Sequence, residues 1–425
     1  MRNFVTTSIL AGLMSVSTFA QAPSPLRDPP SPRSALVDAA LYGADLETSV
    51  HMLANHVDRF APDDDSMRFG LAMAQFLRSG ERVCQSLYQY GFQPNVEMFG
   101  FFLPISRLPL PVNADPDEIS HSDLLDILIN WQDDLKTVEA TLATIDDDDV
   151  RLRFRPGIVR FDFNNDGEAT DNEMLWVPFS QLRLRFNITR EGAEAFDIAM
   201  DRGDVAWLRG YCHILMGVLD MVLAHDTEQL FEHTAHIFFA RPDSEFTFPT
   251  PFDQSRRNRF SDEWEIVDFA TFIHLLSFEV DDAARMADAR EHLLQAVAMS
   301  REMWTHYDAE VDNDREWLPR PGQTSVIPNA EITPELRETW LLFLDEAQLV
   351  LEGEHLLRFW RAVDQRGINF KRVFTEPRQF DLILWLQGSA AQPYLEEGQL
   401  TTPGTWQRLQ EATNRRFFRH AFWFN

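Results

Sequence analysis

From residue 35 onward the apolar side chains recur at intervals of three and four, and this spacing restricts the chain to helices packed on helices. Leu36, Ala40, Leu46, Val50, Leu53, Ala54 and Val57 share one stripe of a helix predicted over residues 35–60. Ala61-Pro62 interrupts the pattern, and Asp63, Asp64 and Asp65 offer acidic caps for the next segment. A second stripe, from Phe69 through Leu77 to Leu87, predicts a helix ending near residue 90. The same spacing returns over residues 122–145, then over 204–239 as one long helix or two closely joined ones. It continues over 266–278, 282–304, 334–363 and 405–414. Thr333 before Pro334 reads as an N-cap followed by a first-turn proline. With few hairpin signals and little period-two alternation, the expected fold is all-α, a multi-helix array of hairpins or a bundle.

Composition narrows the function. Of 425 residues, 44% are hydrophobic, which is ample for a buried core. Acidic residues number 67 against 38 basic ones, a net charge of −29, and a surface of that sign repels phosphates. Nucleic acid is therefore excluded as a main partner. Arg2, a short apolar stretch at residues 9–14 and Ala20-Gln21-Ala22 have the order of an export signal cut after Ala22. Residues 23–33 then form a Pro-rich linker. No later segment reads as apolar enough to span a bilayer. The expected product is periplasmic or secreted. Its regions would be an N-terminal helical part (34–150), a loop-centred part (151–200) and a C-terminal helical part (201–425). Cys84 and Cys212 are compatible with one disulfide or with two buried thiols, and the sequence does not choose between them.

The strongest motif runs through residues 162–173, Asp-Phe-Asn-Asn-Asp-Gly-Glu-Ala-Thr-Asp-Asn-Glu. It fits D-x-[DN]-x-[DN]-G-x5-E at every fixed position. Calcium takes six to eight hard oxygen ligands at about 2.3–2.6 Å. Side chains of Asp162, Asn164 and Asp166 would supply three, the Glu168 carbonyl a fourth, Thr170 a water-mediated one, and Glu173 two closing oxygens. Gly167 permits the left-handed backbone that turns the chain around the ion. Over these twelve residues the chain resembles the calcium loops of EF-hand proteins and dockerins, and that resemblance implies a bound Ca²⁺. It departs from the EF-hand pattern in two ways. Ala169 stands where a branched apolar residue usually pairs with a second loop, and Pro156-Gly157 leaves little room for an entering helix. An unpaired loop lacks the coupled partner of calcium sensors, so the expected ion is structural. Over residues 35–90, two helices joined by a short Pro-containing turn are also similar to tetratricopeptide-type hairpins.

Other candidates compete with this loop. On a single helix His225, Glu228, Glu232 and His236 would lie within about 80° of one another, because each residue advances about 100°. Such a stripe could hold zinc, iron or copper, with His213, His274, His292 or His306 completing it, or it could be a solvated acidic face. Asp308, Glu310, Asp312, Asp314 and Glu316 alternate without the glycine or the closing glutamate of a calcium loop. The sequence shows no nucleophile elbow, no zinc-protease helix motif and no phosphate loop. Aromatic clusters at 99–102, 246–252, 340–343 and 417–424 suit a core between large helices, and the last run is expected to dock on the body. The sequence-level reading is an exported calcium-binding helical protein acting by binding, with an envelope protein, peptide or apolar small molecule as partner. The runner-up is a periplasmic metalloenzyme or transition-metal binder. A calcium-dependent carbohydrate module would need an exposed aromatic beside the loop, such as Trp176.

Overall fold

The computed structural model describes residues 32–93, 110–177, 189–246, 261–327, 331–361, 365–413 and 424. The helix expected over residues 35–60 is two helices, α1 (Pro32–Leu41) and α2 (Leu46–Phe60). The break has a local cause. The Asp45 carboxylate accepts from the Thr48 N–H at 2.8 Å, and so starts a new helix inside an uninterrupted apolar pattern. Helix α3 (Asp65–Gln89) follows, with Asp64 as its N-cap. Helix α4 (His121–Leu142) opens with a reciprocal cap between Ser120 and Asp123.

Strand β1 (Leu152–Phe154) pairs antiparallel with β2 (Ile198–Met200), Leu152 opposite Met200 and Phe154 opposite Ile198. The 162–173 loop and the short helix α5 (Arg190–Ala195) lie between them in the chain. Next come α6 (Arg202–Leu223), α7 (Glu228–Phe238), α8 (Ser261–His274), β3 (Ser277–Phe278), α9 (Ala283–Ala309) and α10 (Pro334–Glu352). Helix α6 is the axis of the body, packed between α4 and α9. Two glycines bring α9 close. A Cβ on Gly203 would sit 2.4 Å from the Tyr307 ring, and one on Gly217 would sit 3.3 Å from both the Ala289 carbonyl and the His292 Cβ. By length and composition alone α6 is apolar enough to cross a membrane, although no such segment was expected. With 72% of its apolar window buried, it serves here as the interior helix.

The C-terminal part departs most from the sequence reading. Helix α10 ends at Glu352 rather than near 363, because Gly353 at φ 77° closes it with its N–H on the Leu349 and Val350 carbonyls. Beyond it β4 (Leu357–Arg358), β5 (Arg366–Ile368) and β7 (Leu395–Glu397) form an antiparallel sheet in the order β4-β5-β7. Helix α11 (Phe370–Thr375), strand β6 (Phe380–Asp381) and helix α12 (Leu382–Gln387) lie between β5 and β7, and β6 pairs with β3. Helix α13 (Pro403–Ala412) follows. Among the described residues the fold is mostly helical, as expected, with three small sheets added to the helical body. Strands of two or three residues are too short to show alternation.

The largest core side chains meet where α9 and α10 pack. The Phe424 ring stands edge-on to Trp304 and Trp340 at 5.5 and 5.1 Å. Ser300 donates its hydroxyl to the Phe424 carbonyl at 3.0 Å. The expected docking of the C-terminal aromatic run is seen at Phe424, while residues 414–423 lie outside the described residues. So do the aromatic stretches at 99–102 and 247–252. Cys84 and Cys212 are separate buried thiols, and burial pushes the Cys84 thiol up to about 12.

Candidate metal centres

The 162–173 loop leaves the short 156–158 turn and is held at its base by α3. The Asp162 N–H donates to Glu81 Oε1 at 2.7 Å, and Gln85 donates to the Asp162 carbonyl at 2.9 Å. Glu81 is itself buried and paired with Arg78 at 2.9 Å, and burial lifts its carboxyl to about 7. Asp162 aims both carboxylate oxygens into the coil, accepting from Asp166 N at 3.1 Å and Gly167 N at 2.8 Å. Asn164 Oδ1 also accepts from Asp166 N, and Asp166 Oδ1 accepts from Glu168 N. The backbone turns through left-handed conformations at Asn165 (φ 56°) and Gly167 (φ 90°).

The far end folds back onto the near one. Glu173 Oε1 accepts from the Phe163 N–H at 3.1 Å, while Oε2 accepts from the Thr170 N–H and hydroxyl, each at 2.8 Å. The two ends are zipped by Phe161 N to Glu173 O and Leu175 N to Val159 O. Asp162, Asn164, Asp166 and Glu173 therefore lie along one short coil, their oxygens engaged by its own N–H and hydroxyl donors. Thr170 caps the turn at 171–173, and the Glu168 side chain is exposed. The donor set is the hard, oxygen-only kind that calcium takes. Among the described residues no second loop of this kind pairs with it. The N–H of Ala169 instead donates to the Ala44 carbonyl between α1 and α2 at 3.2 Å. Arg160 and Arg190 pin the flank through Asp171 at 2.9 and 3.0 Å. Trp176 is half-buried, with its indole N–H enclosed.

A second group of acids was not anticipated as a unit. Asp201, Glu310 and Glu316 bring carboxylate oxygens within 4.8 Å of one another. Asp201 is the N-cap of α6, where its carboxylate accepts from Gly203 N at 2.8 Å and gains from the helix dipole. Glu310 caps the opposite, carbonyl-rich end of α9, where a negative charge is disfavoured. Burial, then the neighbouring Asp201 carboxyl, pushes Glu310 up to about 9, and the same two causes raise Glu316 to about 7. Gln323 donates to Glu310 at 2.8 Å and Asp314 N to Glu316 at 2.7 Å. Below them Tyr307 donates to the buried Asp204 at 2.7 Å. Of the alternating acids, Asp308 pairs with Arg337, and Asp312 and Asp314 face solvent. Three oxygens at this spacing are held together by a shared proton or by a hard divalent cation.

The histidine stripe does not assemble on one helix. His225 lies before α7, donating its Nδ1–H to the Met221 carbonyl at 2.7 Å, and only Glu228, Glu232 and His236 are helical. Glu232 accepts from Glu245 N, and His236 is buried 3.9 Å from Asp268. Of the four histidines suggested to complete it, His213 and His292 pair with each other at 3.0 Å between α6 and α9. Compared with known proteins, the chain matches no family model, no curated protein and no solved structure.

Proposed function

We propose that the protein is an exported calcium-binding helical protein whose ion is structural and which acts by binding a partner rather than by catalysis. The observation that carries the calcium reading is the return of Glu173 across the coil to the residue after Asp162. It ties the glutamate at the end of the coil back to its start beside Asp162. The structural role is supported by where the loop is tied. Glu81 and Gln85 of α3 hold its start, and Ala44 holds its middle, so an ion in the coil would brace three N-terminal helices at once. The binding role is supported by apolar side chains left in solvent. Ile383, Leu384 and Leu386 of α12 are 50%, 46% and 63% exposed, on a helix whose first N–H donates to the Leu276 carbonyl beside β3. A peptide or an apolar segment of an envelope protein suits such a surface.

Isothermal titration of the chain lacking residues 1–22 with CaCl₂ tests the ion. Saturable binding with one equivalent per chain is expected, and it should vanish in Asp162→Ala/Glu173→Ala. Elemental analysis of the purified protein separates this reading from the transition-metal one. Stoichiometric zinc, iron or copper with no calcium would overturn it.

A further inference from the structure

Helices α4, α6 and α9 are joined by a line of ionisable groups that the calcium loop does not use. Glu139 of α4 lies 3.6 Å from His213 Nε2, and His213 Nδ1 lies 3.0 Å from His292 Nδ1. His292 Nε2 lies 3.6 Å from Asp220. Both ends are anchored. Arg209 donates to Glu139 at 2.9 Å, while Arg285 and Gln132 donate to Asp220 at 2.8 and 2.7 Å. Gly217 sets the spacing, because its missing side chain lets the His292 Cβ come close to α6.

The line has three gaps: carboxylate to ring, ring to ring, and ring to carboxylate. Each imidazole carries one proton when neutral and two when charged. Two ring protons leave one gap with lone pairs facing each other. Three fill every gap once, giving one imidazolium and one imidazole between two carboxylates. Four put two N–H groups head to head across 3.0 Å, which no rotation of a single proton relieves. The pair therefore tolerates a single added charge and rejects a second.

We infer that Glu139, His213, His292 and Asp220 form an acid-sensitive clasp that holds α9 on α6 while the two rings share one Nδ1–H···Nδ1 proton, and that opens when acid supplies the fourth. Burial, followed by the charge of His213, lowers the pKa of His292, in keeping with a withheld last proton. The remaining charged groups facing the rings are Lys136 of α4 and Asp288 of α9. The clasp concerns the helical body and stands or falls separately from the calcium loop.

Hydrogen exchange at pH 7 and pH 5, expressed as protection factors to remove the intrinsic pH dependence, tests it on the calcium-loaded chain. Protection of α9 amides around 283–300 is expected to fall about tenfold more in the native protein than in His292→Gln, where no fourth proton can be added. Equal losses in both would overturn the clasp. Should His292→Gln fail to fold, ¹⁵N-histidine spectra of the native protein decide the matter. The expected result is two coupled ring titrations, with a shared-proton signal that disappears in acid. Two independent titrations near the ordinary histidine value of about 6.5 would overturn it.

Discussion

The coil at 162–173 and the acids at the start of α6 are both rich in carboxylates, but they place them in different surroundings. In the coil the carboxylates meet N–H groups from the same dozen residues, backbone ones at Asp162 and Glu173 and the Asn164 amide at Asp166, and both carboxylate oxygens of Asp162 and of Glu173 are satisfied. Local donors fix the orientation of these side chains along the coil. The buried group has Asp201 well supported by the start of α6, while Glu310 accepts from Gln323 and Glu316 from the Asp314 N–H. Glu310 and Glu316 are therefore driven toward protonation, with Glu310 lifted to about 9. Acid clusters read the same in composition, and the supply of N–H donors decides whether they invite an ion or a proton.

The contrast breaks most directly at the coil. Asp162→Ala/Glu173→Ala should abolish calcium binding and, with it, the stabilisation seen at saturating calcium. That amounts to about 2.7 kcal/mol at a hundredfold excess over Kd. Melting with and without calcium measures it, while Glu310→Gln should leave the calcium response intact. A calcium shift that survives the double substitution would mean the ion sits elsewhere. Next in size, Tyr307→Phe removes the donor to Asp204 and should cost about 1–3 kcal/mol in urea denaturation. The same loss imposed on a coil carboxylate in calcium-free buffer should be smaller, because water reaches the exposed residues there.

The pH dependence sharpens the comparison. Glu316 and Glu310 have folded values raised above the unfolded 4.5, so their contribution is fully present below that pH. It is lost as pH rises through about 7 and then about 9. Denaturation midpoints should fall from pH 6 to pH 9, and Glu310→Gln should remove the largest single share of that fall, since its folded value of about 9 spans more of the interval than the values of about 7 at Glu316 and Glu81. A midpoint that rises over this range would contradict the crowded-carboxylate account. The smallest effect is expected at Gly167. At φ 90° an alanine there is strained, yet no atom lies within 4 Å of the added Cβ. Gly167→Ala should cost about 1 kcal/mol and weaken calcium binding without disturbing the fold.

Much of the helical body is legible from the chain, because amphipathic periodicity and caps are local. The stripe from Phe69 to Leu87 gives α3, and Thr333-Pro334 opens α10 where expected. The errors are equally local in origin. Asp45 starts a helix inside what reads as one stripe, and Gly353 stops another early. β5 pairs with β7, and β3 with β6, across long stretches of chain, so no short window contains those strands' reason for existing.

By itself the sequence determined the coil at 162–173. Its donors, its glycine and its closing glutamate are twelve neighbours whose mutual geometry follows from one short stretch of backbone. It also determined that the body would be built of helices with apolar stripes. Only the tertiary structure decided which acids and histidines meet. Asp201 joins Glu310 and Glu316 across a hundred residues, and His213 meets His292 where Gly217 lets two helices approach. The reason is physical: a contact made by packing depends on helix crossings and close approaches that no local spacing encodes.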